Sequence, residues 1–253
     1  MAIKRKEYRF RKGDILDIEE YHDGKYGDPG GKRVKRRKAT PEDMIRVNKW
    51  NKEKRCRQRL LCYFSPGDLL LTWTYRVEER PPDMESALKD FQAALRKVRR
   101  EYKKRGKSLF WIRNIERGTK GAWHIHLVVN EIGDSASIVE KAWTKGGTWL
   151  TEIKKSKFYD EDFTSLASYI TKDEHSVETK ADGTPGKPRL REASYNTSKN
   201  MPLPEPHVDK LVRWKKEVKP KKGYYIARIW EGINPKTGYK YRRVTQIRLN
   251  RRI

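Results

Sequence analysis

The chain has 253 residues, enough to bury a sizeable core without help from disulfides, so the constraints on small stapled scaffolds do not apply. Its 60 Lys and Arg outnumber 34 Asp and Glu, giving a formal net charge of +26 and a pI near 10.0. Such a field calls for a polyanionic partner: nucleic acid fits, and an anionic membrane surface is the competitor. Neither a basic amphipathic helix with an apolar face nor a lipidation signal stands out, there is no signal peptide, and no apolar run reaches transmembrane length. Cys56 and Cys62 are too few and too isolated for a metal knuckle or disulfide framework, so reduced thiols and a cytoplasmic location are expected. Eight Trp and thirteen Tyr beside this charge point to some aromatic surface for stacking bases.

The first forty residues are polar, with turn chemistry at Asp28-Pro29-Gly30-Gly31 and a basic run from Lys32 to Lys38, and read as an arm or irregular lobe. Thr40-Pro41-Glu42-Asp43 opens a cation-rich helix ending near Leu61. Leu69 to Tyr75 is an apolar, β-prone run expected as a central strand. Met84, Leu88, Phe91, Leu95, Val98 and Tyr102 recur at helical spacing between an Asp83 cap and a stop at Gly106. Two β-prone runs, Leu109 to Glu116 and Ala122 to Asn130, flank a turn at Arg117 to Gly121. A helix near Ala136 to Trp143, a strand near Thr148 to Ile153 and a helix from about Asp162 to Lys172 follow. This order predicts an α+β fold, an antiparallel β-sheet with helices on one face. Residues 176 to 206 read as loop, Leu211, Trp214 and Val218 as a short helix, and Tyr224 to Trp230 with Tyr239 to Leu249 as a terminal β-hairpin. The predicted segments are an N-terminal basic arm and helix (1–62), a central domain (63–200) and a C-terminal extension (201–253).

Within the second β-prone run, His124 and His126 are two apart and project from one strand face, a ready bidentate site for a divalent metal. Glu116 ends the adjoining strand within side-chain reach, although the hairpin register that would settle its facing is not fixed by sequence. Tyr169 and Lys172 lie on the last predicted helix, Tyr169 at the border of a stripe formed by Phe163, Leu166, Ala167 and Ile170.

Together, the strand Leu70-Leu71-Thr72-Trp73-Thr74-Tyr75, the His-hydrophobic-His of Trp123-His124-Ile125-His126-Leu127-Val128-Val129 and the Tyr-x-x-Lys of Tyr169 to Lys172 resemble the HUH endonucleases over about residues 66 to 200. Histidines before the tyrosine is the order of the single-tyrosine rolling-circle replication initiators of phages and plasmids; relaxases reverse it. The Tyr195 to Asn200 segment looks like the stretch after the tyrosine helix in phage-type members. The resemblance implies an RRM-like sheet, a Mn or Mg ion held by His124, His126 and Glu116, and nucleophilic attack on DNA by Tyr169, leaving a 5′-phosphotyrosine and a free 3′-OH. Lys172 is expected to lower the phenol pKa or to stabilise the phosphate. Arg113, Lys120, Trp123, Lys199 and Asn200 are the expected DNA contacts.

No second tyrosine lies four residues from Tyr169, so a two-tyrosine shuttle is not expected, and the spacing of Gly27 to Arg33 does not make a P-loop. Unwinding and extension therefore fall to a host helicase and polymerase in a bacterial cell. A single-strand transposase of the same superfamily and a non-catalytic single-stranded nucleic-acid-binding protein are the alternative expectations.

Overall fold

A computed structural model of the chain describes residues 3–22, 40–118, 122–172, 195–211, 214–215, 217–233 and 239–249. In chain order they form β1 (Ile3–Phe10), β2 (Ile15–His22), α1 (Pro41–Tyr63), β3 (Leu69–Thr74), α2 (Met84–Lys104), β4 (Trp111–Arg117), β5 (Trp123–Val129), α3 (Ser135–Ala142), β6 (Thr148–Glu152), α4 (Thr164–Thr171), β7 (Tyr195–Thr197), β8 (His207–Leu211), β9 (Tyr224–Ile233) and β10 (Lys240–Arg248). The fold class is α+β, with two antiparallel five-stranded sheets ordered β8-β1-β2-β10-β9 and β6-β3-β5-β4-β7. The chain divides into two compact units, Asn51–Pro202 and Met1–Trp50 with Leu203–Ile253.

The first of these units contains the expected sandwich. Odd-numbered residues of the central strands, among them Leu71, Trp73, Ile115, Ile125 and Leu127, point to one face and form a core with Phe91, Leu95 and Val98 of α2 and Ile138 and Val139 of α3. The period-3.6 stripe of α2 creates this packing. Asp83 caps the helix by accepting from Ser86 N at 2.8 Å. It ends in a Schellman turn: Gly106, at φ +65°, donates to Lys103 O and Lys107 donates to Tyr102 O, both at 3.0 Å. On the opposite face α4 lies against β4.

A buried ion pair ties α1 to the segment before α4, Arg57 Nη2 donating to Asp162 Oδ2 at 3.1 Å with both side chains almost fully buried. Removing one partner strands the other charge, so Arg57→Met is expected to destabilise the protein by about 3–5 kcal/mol, read as a drop in the urea midpoint.

Three expectations are corrected. The polar N-terminal stretch is not an irregular arm where it is described: Ile3–Phe10 and Ile15–His22 pair as an antiparallel hairpin. Its charges concealed the strand pattern, because charged side chains fill buried positions and are matched there. Glu7 accepts from Lys221 Nζ at 2.6 Å, Asp17 from Arg243 and from Thr245, and Glu20 from Arg242 at 2.6 Å. The basic run 32–38 and the turn 28–31 lie outside the described residues. Next, the helix expected around Leu211, Trp214 and Val218 is absent among the described residues, and His207–Leu211 instead forms a strand along β1. An open sheet edge overrides the weak three-four spacing. Lastly, the stretch expected as loop contains β7, a short edge strand on β4 (Ile112↔Thr197, Asn114↔Tyr195), too polar to show alternation. The C-terminal hairpin forms as expected, β9 against β10 with a bulge at Thr245/Gln246, and β10 runs beside β2, so both ends of the chain share one sheet.

Candidate functional site

The β4–β5 hairpin fixes the register that sequence left open. Glu116 is opposite His124, Asn114 is opposite His126, and on the other side of β5 Thr72 faces His126 while Thr74 faces His124. Directly opposite residues share a face, so the even-numbered polar residues of three strands converge on the side away from α2. α4 brings Tyr169 to the same place.

The contacts form a continuous chain. His126 Nε2 is 2.5 Å from Glu116 Oε1, and Tyr169 Oη is 3.0 Å from His126 Nδ1, with Thr72 Oγ1 2.9 Å from the same nitrogen. The Glu116 carboxylate accepts, so Nε2 carries the hydrogen, and a neutral ring turns its Nδ1 lone pair toward the two hydroxyls. Lys172 Nζ is 3.1 Å from Glu116 Oε2 and 4.7 Å from the centre of the Tyr169 ring. Two further contacts position the tyrosine end. Phe158 stacks on Tyr169 with ring centres 3.7 Å apart, and Asn114 Nδ2 donates to Lys172 O at 3.1 Å just beyond α4.

Burial raises the Glu116 carboxyl, but hydrogen bonding and attraction from His126, then from Lys172, outweigh it and hold the group at about 2. Burial, then the Glu116 charge, push the Tyr169 phenol up to about 12. Burial, followed by the charge of His126, lowers His124 and keeps its lone pair available at neutral pH. Of the two roles expected for Lys172, lowering the phenol pKa is not the one this geometry produces, because the ammonium is committed to Glu116 and the phenol is raised. A depressed carboxyl stabilises the fold above its ordinary value of 4.5 and loses that contribution as pH falls toward 2. The melting-temperature advantage of the native chain over Glu116→Gln should therefore be full at neutral pH and shrink below pH 4.5; an advantage independent of pH would contradict this coupling.

The donor types suit a divalent cation: two imidazoles and a carboxylate on one sheet face. They do not yet converge, since among the described residues no three His, Cys, Asp or Glu side chains are grouped closely enough to hold an ion. Glu116 and His126 are bonded to each other, and the His124 and His126 rings are 6.5 Å apart.

The expected DNA contacts separate. Trp123 is 2% exposed and part of the core, a correction that follows from its odd position on β5, which points it toward α2. Arg113 is likewise on the α2 side, buried, with its guanidinium 5.1 Å from the Phe91 ring centre. It lines a groove of about 750 Å³ with Arg99, Lys103, Lys199 and Asn200, away from Tyr169. Lys120 lies outside the described residues. Thr72, Asn114 and Phe158 escaped the sequence reading. Thr72 and Asn114 left a signal, as polar residues spaced two apart from Thr74 and Glu116 in otherwise apolar strands; Phe158 left none.

With this geometry in view, comparison with known proteins adds one finding. Residues 68–174 match the family described as replication-associated protein, of the ORF2 type. The match runs from just before β3 to just past α4, so it takes in Glu116, both histidines, Tyr169 and Lys172, and it supports a replication initiator. No curated protein and no solved structure matches the chain significantly. No described helix is long and apolar enough to cross a membrane.

Proposed function

We propose that the chain is a replication initiator that nicks single-stranded DNA at an origin, with Tyr169 as nucleophile. The observation that carries this reading is the approach of Tyr169 Oη to 3.0 Å from His126 Nδ1, on a ring whose other nitrogen is held by Glu116. A phenol raised to about 12 is almost wholly protonated at neutral pH, so attack requires a proton acceptor in the same step, and the Nδ1 lone pair is within hydrogen-bond reach. The phenol oxygen bonds to phosphorus and the bond from phosphorus to the 3′ oxygen breaks. The departing oxygen takes a proton from water, which leaves a 5′-phosphotyrosine and a free 3′-OH for a polymerase.

Glu116, His124 and His126 are the residues that would hold a divalent ion, Mn or Mg, and once bound such an ion would polarise the scissile phosphate. Lys172 lies beside both Glu116 and Tyr169 and adds positive charge where the phosphate oxygens gather. The DNA origin and a host helicase and polymerase are the proposed partners, in the cytoplasm of a bacterial host. The test uses end-labelled single-stranded origin oligonucleotides with Mn, Mg or chelator, resolved on a denaturing gel. The expected product is a metal-dependent adduct on the fragment 3′ of the nick and a released fragment that a polymerase extends. Salt-sensitive binding without any adduct would leave a non-catalytic binding protein as the reading.

A further inference from the structure

β6 is an edge strand of the sheet that carries the histidines and pairs with β3, Thr72 facing Trp149 and Leu71 facing Leu150. Leu150 packs on the core shared with α2 and α3, so strand alternation turns Trp149 to the opposite face. Trp149, Thr72, His126 and Asn114 thus form one cross-strand row on the face that carries Tyr169. Two strand spacings separate Trp149 from His126, roughly 10 Å, a span that a nucleotide flanking the reacting phosphate can bridge.

Trp149 is 74% exposed, more than any other large hydrophobic side chain among the described residues. Its backbone is nevertheless firmly held. Thr74 N donates to Gly147 O at 2.9 Å and Arg76 N to Lys145 O at 2.9 Å. Gly146 lies so close to β3 that a Cβ there would come within 2.0 Å of Thr74 O, so the turn leading into β6 accepts only glycine. A rigidly mounted, solvent-facing indole gains nothing for the fold and loses little entropy on stacking.

We propose that Trp149 is a stacking platform for a nucleobase of the strand whose phosphate is presented to Tyr169. The proposal rests on the nicking reading for its choice of strand. The occupant is a base rather than an apolar protein segment because the indole shares its face with Lys172, and with Arg80, whose charge acts on His124, on a chain of net charge +26. These cations attract a phosphodiester backbone, and base-aromatic stacking supplies affinity without sequence preference.

The test measures binding of the full chain, at fixed salt and without added metal, to fluorescein-labelled oligo(dT) and to an abasic deoxyribose-phosphate strand of equal length. Trp149→Ala is expected to weaken oligo(dT) binding about tenfold and to leave the abasic strand unaffected, while Trp149→Phe retains most of the difference. A Trp149→Ala chain that binds oligo(dT) like the native one, or that loses both strands equally, would overturn the proposal. Because no cleavage is involved, a native chain that never forms an adduct but shows the Trp149-dependent preference defeats only the nicking reading. An adduct without the preference defeats only the stacking platform.

Discussion

Tyr169→Phe is expected to reduce DNA nicking by at least about a thousandfold and to leave no denaturation-resistant adduct, because it deletes the proposed nucleophile and nothing else. Its structural cost should be small. The ring keeps its stack on Phe158, and His126 Nδ1 retains Thr72 Oγ1 at 2.9 Å, so no buried polar atom is stranded. The melting temperature should therefore stay close to that of the native chain, and single-stranded DNA binding should be unchanged. An adduct of native yield in this variant would mean that another oxygen attacks. A collapse of stability alongside activity would mean that the hydroxyl serves the fold.

His126→Ala is the second large effect, a loss of roughly a hundredfold to ten-thousandfold in nicking, the range that general acid-base groups contribute. His126 is the hub of the arrangement, with Glu116 on one nitrogen and Tyr169 and Thr72 on the other, so its removal disconnects the phenol from the carboxylate. Lys172 remains 3.1 Å from Glu116, so the carboxylate keeps a counter-charge and the sheet should survive. His124→Ala is expected to abolish nicking while salt-sensitive DNA binding persists. Retained nicking in both histidine variants would remove the chemical role of this face, and parallel loss of nicking and binding would assign the histidines to the fold. Binding and chemistry should separate in this way because the charge that supplies affinity is spread over the whole chain, at 60 Lys and Arg, whereas the chemistry depends on a few contacts.

The central unit was legible because its signals are local and strong. The stripe from Met84 to Tyr102 and the Asp83 and Gly106 punctuation specify α2 without reference to anything else. Alternation through His124-Ile125-His126 alone placed the two imidazoles on one strand face. The sequence could not reveal which partner each side chain meets, because that depends on register and on the approach of α4. Glu116 proved to face the histidines, while Trp123, one position before His124, went to the core by the same alternation. The terminal unit was largely illegible. Buried Asp17, Glu20, Arg242 and Arg243 occupy positions that a reading by polarity assigns to solvent, and only long-range pairing between β2 and β10 brings opposite charges together. β8 shows the same limit, since its strand character comes from the edge of β1 and not from its own residues.

The measurement that bears most directly on the central claim is peptide mapping of the protein-DNA adduct by mass spectrometry, after incubation with single-stranded origin DNA and Mn or Mg, nuclease trimming and proteolysis. The account predicts a nucleotide attached through a 5′ phosphate to the peptide containing Tyr169, and an unmodified Tyr169 in the His126→Ala chain. A phosphonucleotide on any other residue, or cleavage that leaves no protein-bound nucleotide at all, would contradict it.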